Sequence, residues 1–296
     1  MSSTRSARSH RAARALWLFP VPALALYLFF FVYPTVQAAQ YALTDWDGYS
    51  TTYDNVGLRN LRELATGDDV FRNAAENNLK LTLTVVVAQT ALALLLALYL
   101  VRTTRVSTLL RALFFLPTVL SSVSVAFVWR FVYDPDGGLL NSGLRAVGLD
   151  SWQSVYLGNP DTAVFWLAVT QVWFHAGQMM VVYIAGLQAI PKELYEAAEL
   201  DGAGRWDSFR HITWPLVAPA TGIVVAYTTV QSFKAFDLVL GLGGNPPGPA
   251  LDLLSTRVYT TFSNNEFGYA AAQSLVFMAL IALLTWVQRR ALRRAA

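Results

Sequence analysis

Six stretches of the chain carry no Asp, Glu, Lys or Arg: 15–44, 81–101, 112–129, 162–191, 212–233 and 267–288. Crossing the hydrocarbon core of a bilayer takes about 20 apolar residues at helical rise, and about 18 without charge are enough to suggest a span. All six stretches reach that length. Their positions predict an all-α, polytopic membrane protein with transmembrane helices over about 16–38, 81–101, 110–132, 163–187, 215–238 and 268–288. The whole of 1–296 then forms a single transmembrane domain, with outer loops at about 39–80, 133–162 and 239–267 and a cytoplasmic loop at 190–214. Six buried helices of a large soluble protein would instead need amphipathic segments elsewhere to face water, and only short connectors remain.

Composition agrees with the pattern. Hydrophobic residues make up 55% of the chain and charged residues 14%, well under the quarter usual in soluble domains. Arg5, Arg8, Arg11 and Arg14 precede the first block, and Val36-Gln37-Ala38 has the small-residue look of a signal cleavage site. The apolar run is far longer than the roughly 7–15 residues of a secretory core, so it reads as the first span. Bases set the orientation. The N-terminal tail, the stretch Arg102 to Arg111, the 190–214 loop and the tail Arg289, Arg290, Arg293 and Arg294 fall on one side. The other side carries Asp45, Asp47, Asp54, Asp68, Asp69, Asp134, Asp136, Asp150 and Asp161. Both termini are therefore expected in the cytoplasm.

Absences narrow the chemistry. The chain has no cysteine, which removes disulfides, thiolate metal sites and cysteine nucleophiles. His10, His175 and His211 are too scattered for a metal site. A six-span serine protease would need a Gly-x-Ser nucleophile at membrane depth with a histidine partner, yet the Gly-x-Ser here is Gly48-Tyr49-Ser50, in an outer loop. No Gly-Lys pair exists to build a P-loop.

Between two uncharged blocks lies ELYEAAELDGAGRWDSFRHITWPL, residues 193–216. Pro191 suits a first helical turn, Glu193 and Glu196 suit the positive end of a helix dipole, and Gly202 supplies a stop. The spacing predicts a short helix, a tight reversal at Asp201-Gly202-Ala203-Gly204, a second short helix, and Pro215 opening the next span. Ala197 and Ala198 leave one surface without bulk, while Trp206, Phe209 and Trp214 are anchors of the kind enriched at interfaces. An interfacial loop with belt aromatics is the plain reading, and a cytoplasmic docking element is the sharper one.

That run resembles the EAA signature of permease subunits in binding-protein-dependent ABC importers: Glu196-Ala197-Ala198, three residues, Gly202, nine residues, Ile212, and Pro215 after Trp214, where the family usually has leucine. The likeness extends over nearly the whole chain and points to the sugar-importer branch related to the maltose and glycerol-phosphate permeases. LFPVPALALYLFFFVYP, RALFFLPTVLSSVSVAFVWRFVYDPDGGLLN and AGLQAIPKELYEAAELDGA carry it. LGLGGNPPGPA, 240–250, departs from the shorter Gly-Gly-Pro turn of relatives. The resemblance implies a non-catalytic, prokaryotic plasma-membrane subunit with a coupling helix between spans 4 and 5. It further implies a second homologous permease, an ATPase dimer that binds the ATP and Mg, an extracytoplasmic substrate-binding protein, no cofactor on this chain, and no nucleic acid. Glu196, Ala197, Ala198, Asp201, Gly202, Trp206, Phe209, Ile212 and Pro215 would contact or transmit motion from the ATPase.

Two polar stripes bear on the solute. Gln171, His175 and Gln178 stand at i, i+4 and i+7 in the fourth span, and Tyr227, Gln231 and Lys234 repeat the spacing in the fifth. Amides and aromatic faces, with Trp173 and Phe174 beside the first stripe and Tyr227 within the second, suit a solute with many hydroxyls. Nothing resembles the arginine cluster that phosphate recognition favours. A sugar or short oligosaccharide is expected, with glycerol phosphate or another polyol as the alternative. A six-span secondary transporter is the rival class. It would use intramembrane ionisable groups, for which His175, Lys234 and Asp237 are candidates.

Overall fold

The computed structural model describes residues 19–295. Arg5, Arg8, His10, Arg11, Arg14 and the start of the expected first span lie outside the described residues, as do the side chains of Arg293 and Arg294. The described helices are α1 (Val21–Tyr41), α2 (Arg59–Thr66), α3 (Asp69–Leu100), α4 (Arg105–Phe115), α5 (Ser122–Val132), α6 (Leu139–Ala146), α7 (Ala163–Gln188), α8 (Lys192–Leu200), α9 (Arg205–Phe233), α10 (Asp237–Gly243), α11 (Leu254–Ser263) and α12 (Phe267–Ala295). Among the described residues the only β-pairing is an isolated bridge, Thr44 with Asn55. Five helices are long and apolar enough to cross a membrane, or six if the bent pair α4 and α5 counts as one.

Where one domain was expected, the chain divides into two compact units. One comprises the described residues up to Gly67 together with Thr261–Val276; the other comprises Asp68–Thr260 and the chain from Phe277 on. In the first unit, α1 buries none of its apolar window, and Phe29, Phe30 and Phe31 are all more than half exposed. Such a surface is stable only against lipid or another apolar partner. After α1, the Asn60 amide donates to the Ala42 and Thr44 carbonyls at 3.0 and 2.9 Å, closing the loop on itself. Trp46 stacks on Tyr41 at 4.3 Å and meets Phe267 at 5.6 Å. The Asp47 carboxylate accepts from the Ser50 N–H and hydroxyl and from the Tyr49 N–H, which lowers its pKa to about 2.

The second unit is built on α3, α7 and α9. Small residues let these helices approach. Ala93 and Ala97 of α3 are fully buried in a cluster with Met179, Met180, Tyr183 and Ile184 of α7 and Val217, Ala220 and Val224 of α9. A Cβ at Gly186 would sit 2.6 Å from that of Ala220. In lipid no hydrophobic force draws helices together, so close packing of small residues has to supply the association.

Several expected boundaries move, each for a local reason. The third span is two helices bent by 99°, not one over 110–132. Pro117 lacks an N–H and begins a 3₁₀ turn, Leu116–Val119, whose Thr118 hydroxyl bonds the Phe115 carbonyl; Leu120 and Ser121 are then extended. α3 starts at Asp69, well before 81, because the Asp68 carboxylate caps it through the Phe71 N–H at 2.7 Å and its charged first turns face water. Pro215 stands in the first turn of the regular α-helical stretch Trp214–Phe233, as expected, but that stretch is continuous with the short helix before it. A π turn at Phe209–Thr213 absorbs its ring, so α9 runs unbroken from Arg205 to Phe233, as a π turn at Leu28–Val32 does ahead of Pro34 in α1. The fifth span stops at Phe233, short of 238, and α10 and α11 occupy what reads as outer loop.

Gly177 of α7 touches the end of α4 so closely that a Cβ there would overlap the Phe114 carbonyl, whereas Gly143 in α6 has open space. Gly177→Val should therefore destabilise the protein by about 1–3 kcal/mol through overpacking. Gly143→Ala should leave stability unchanged or slightly raised. Thermal unfolding of the detergent-solubilised protein, followed by loss of the monodisperse peak, checks both.

Candidate functional site

Two interruptions of regular helix meet in the second unit. One is the extended pair Leu120–Ser121 between the 3₁₀ turn and α5; the other is Lys234 to Phe236, between α9 and α10. Backbone that leaves the helical pattern at membrane depth needs partners other than lipid, so such segments border protein or a watery cavity. A cavity of about 410 Å³ lies there. Leu120 and Ser122 line it from one break, and Lys234 to Leu238 from the other. Gln171, Phe174 and His175 enter from α7, and Tyr227, Val230 and Gln231 from α9.

The two stripes expected from sequence thus converge on one space, with two exceptions. Gln178 stands a turn beyond the cavity wall and reaches across to α9, its amide donating to the Tyr227 hydroxyl at 3.2 Å. Trp173 points elsewhere. Two residues from Gln171 on a helix is a rotation of about 200°, and its ring packs against Trp129 at 5.4 Å and borders an apolar groove with Leu92, Leu113 and Phe114. Of the two aromatic residues expected beside the stripe, Phe174 alone lines the polar cavity. Ser122, Phe236 and Asp237 were not among the stripe residues. A break in the helix brings them in, and the only signal for it is the charged pair Lys234 and Asp237 at the end of an apolar run.

The wall offers both donors and acceptors. Gln171, 2% exposed, donates to the Ser232 hydroxyl at 3.4 Å and leaves its Oε1 without a protein partner, as does Gln231. His175 Nδ1 lies 3.3 Å from the Gln171 carbonyl, so its other ring nitrogen is available to the cavity. The Ser122 hydroxyl donates to Asp237 at 3.3 Å. Ion pairs among the described residues are Arg72 with Asp69 and Arg257 with Asp252, and neither Lys234 nor Asp237 joins one. Both are exposed. No group of three or more His, Cys, Asp and Glu side chains suited to a metal occurs among the described residues. The arrangement can bind and orient a polar solute.

The 190–214 loop forms a second feature. α8 ends in a Schellman turn: Gly202 N–H donates to the Glu199 carbonyl at 3.0 Å and Ala203 N–H to Ala198 at 2.9 Å, with Gly202 at φ +78°. Asp207 then accepts from the Gly204 N–H at 3.3 Å as α9 begins. The Tyr195 hydroxyl lies 2.9 Å from that of Thr213, and Tyr195 and Ile212 pack against the α3–α7–α9 cluster. This fixes the underside of α8. Its outward side stays uncovered: Glu196, Ala197, Asp201 and Gly202 are exposed, Ala198 is half-buried, and Leu200 is 90% exposed. Trp206 stacks on Phe209 at 5.6 Å, and Phe209 meets Trp214 at 6.2 Å. Trp206, Trp214 and Pro215 are exposed.

Residues 89–296 match the family described as binding-protein-dependent transport system inner membrane component. A probable ABC transporter permease protein of Bacillus subtilis (strain 168), YurN, is 36% identical over 93% of this chain and 94% of its own. The multiple sugar-binding transport system permease protein MsmF of Streptococcus mutans is 31% identical over 92% and 93%. Among solved structures, a bacterial ABC transporter involved in the import of the acidic polysaccharide alginate contains a chain with TM-score 0.83, 22% identity and coverage of 98% and 99%, a likeness of fold.

At Gly202 a side chain would meet nothing within 4 Å, so strain in the left-handed backbone alone is at stake. Gly202→Ala should cost the turn about 1–2 kcal/mol and raise protease cleavage within 192–213 several-fold. Gly204→Ala, at φ −73°, should leave cleavage unchanged. Limited proteolysis of the purified protein reads both.

Proposed function

The chain belongs to the binding-protein-dependent transport system inner membrane components, and from that membership we propose that it is the permease subunit of an ATP-driven importer for a neutral sugar or short oligosaccharide. The observation that carries the solute class is the cavity at the two helix breaks, where amide, imidazole, hydroxyl and aromatic groups converge without an arginine cluster. Hydroxyl-rich solutes need donors and acceptors together, and Gln171, Gln231 and Tyr227 supply both. Lys234 is the one cationic side chain in the lining and Asp237 stands opposite in sign, so the wall carries no net positive charge to select a phosphate-bearing polyol. A secondary transporter is set aside by family membership.

Both termini are placed in the cytoplasm by the distribution of bases, which puts the 190–214 loop there as well. An ATPase dimer holding the ATP and Mg would dock on the exposed side of α8, a second permease would complete the pathway, and an extracytoplasmic binding protein would deliver solute to the opposite face. Coupling requires a body whose contacts differ between the partner's states. The anchored underside and bare outer side of α8 support that role for Glu196, Ala197, Ala198, Asp201 and Gly202, with Trp206, Phe209, Ile212 and Pro215 holding the following turn.

In the reconstituted importer, Gln231→Leu in the cavity wall, and Gln178→Leu through the loss of its bond to the wall residue Tyr227, should change the apparent affinity or the ranking of several sugars while subunit stoichiometry is retained. Helix-to-helix hydrogen bonds in membranes average only about 0.6 kcal/mol, so assembly should tolerate the loss. Unchanged ranking and affinity in both variants would overturn the solute reading.

The coupling reading has its own test. Gly202→Asp combines left-handed strain with a charged side chain on the proposed ATPase face. It should abolish transport and solute-stimulated ATP hydrolysis while the permease still inserts, and Glu196→Ala should reduce coupling less. Transport and stimulation at wild-type level in Gly202→Asp would remove the assignment.

A further inference from the structure

The non-helical wall of the cavity, Lys234 to Phe236, is held from a direction unrelated to either polar stripe. Ser255, at the start of α11, donates its hydroxyl to the Ala235 carbonyl at 2.6 Å. One turn later on the same helix, the Tyr259 ring meets Phe236 edge-on at 5.2 Å. A carbonyl just past the end of a helix has lost its intrahelical partner, and here Ser255 replaces it.

The start of α11 is itself rigidly seated. Asp252, 1% exposed, pairs with Arg257 at 2.5 Å and accepts from the Thr256 hydroxyl at 2.8 Å. The Leu253 N–H in turn donates to Thr256 Oγ1 at 2.9 Å. Three asparagines on one face of α3 then fasten this segment. Asn73 and Asn77 donate to the Pro249 carbonyl at 2.8 and 3.0 Å, Asn77 also reaches the Asp252 carbonyl at 3.2 Å, and Asn78 accepts from the Leu254 N–H at 3.3 Å. Polar networks of this kind favour one geometry because each alternative gives up several bonds at once, and among these groups the Asn78 amide nitrogen is the one left without a protein partner. The path runs from the long helix α3, through 249–257, to two consecutive cavity residues.

We propose that Ser255 and Tyr259 are positioning residues: they set where the Lys234–Phe236 wall stands and thereby the shape of the solute cavity, with the 249–257 segment as their fixed support. The proposal rests on the reading of the cavity as the solute site. It gives the outer segment after α10 a definite task, and it locates the control of the wall outside the two helices that furnish the polar side chains.

The chain has no native cysteine, so single cysteines report local access directly. Lys234→Cys and, separately, Tyr227→Cys are placed in the full chain coexpressed with its partner subunits, and labelling by a small, cationic methanethiosulfonate is timed in membranes. Ser255→Ala should change labelling at Lys234→Cys by about three- to ten-fold, the range of one lost hydrogen bond, and leave Tyr227→Cys unaffected. Ser255→Thr, which keeps the hydroxyl, should restore the original rate. A general loosening would move both positions together and overturns the proposal, as does an unchanged rate at Lys234→Cys. If Ser255→Ala does not assemble, Tyr259→Leu carries the same expectation, because it removes only the ring against Phe236. Absence of labelling at both cysteines in every background defeats the cavity reading itself; labelling at both that ignores Ser255 and Tyr259 defeats only the positioning role.

Discussion

Backbone groups in hydrocarbon have no water to bond, and most of this structure follows from that constraint. It makes every long apolar stretch helical, and it makes departures from the helix informative. α1 and α9 meet Pro34 and Pro215 with π turns that keep the chain hydrogen-bonded and continuous. At Pro117 and at Lys234 the helix gives way instead. Those two breaks border the same cavity, and freed groups there find a side-chain partner, as Ala235 finds Ser255. The site is therefore a consequence of where the helical pattern is allowed to fail.

The same solvent explains how the helices associate. Apolar side chains gain nothing by leaving lipid for protein, so buried interfaces carry small residues and hydrogen-bonding ones. α9 shows both. Ala220 faces Gly186, and three polar side chains of α9 turn inward: Thr228 accepts from Gln89 at 3.1 Å, Ser232 from Gln171, and Thr229 from Gln288 at 2.6 Å, while the exposed Tyr227 accepts from Gln178. α9 is thus tied to α3, α7 and α12 by side chains that could not face lipid cheaply. The large apolar residues Phe29, Phe30 and Phe31 of α1 stand outward, an inversion of the pattern in water.

Charge-free length is a one-dimensional quantity, and it reveals what depends on one dimension. The helical class and the presence of long apolar helices were legible that way. So were the left-handed turn at Gly202, from glycine after a helical run, and the meeting of Gln171, His175, Tyr227 and Gln231, from periodicity. The bend in the third span was not, because a run without charge looks the same straight or folded; Pro117 alone marks the place. The division of labour between Trp173 and Phe174 depends on about 100° of helix rotation per residue, finer than a stripe assignment resolves. The short helices after residue 236 are held by contacts distant in sequence, such as Asn73 with Pro249, whereas the start of α3 lies ahead of the charge-free run because its Asp68 cap and charged first turns do not register in a count of uncharged residues.

Stiffness is unevenly distributed in the second unit. α8 is closed by a Schellman turn and seated on Thr213, and the 249–257 segment is locked by Asp252, Thr256 and Arg257 and fastened to α3. Between these lies a wall of three non-helical residues that no continuous ladder stabilises. An opening and closing cavity needs such an element, since a partner shifts an equilibrium only between states that already differ by little. A rigid body at each end and a soft segment in the cavity wall would let a contact made at the periphery be felt at the cavity. A cavity lined by uninterrupted helix would have to move whole spans to change shape, whereas here the backbone from Lys234 to Phe236 is itself part of the wall.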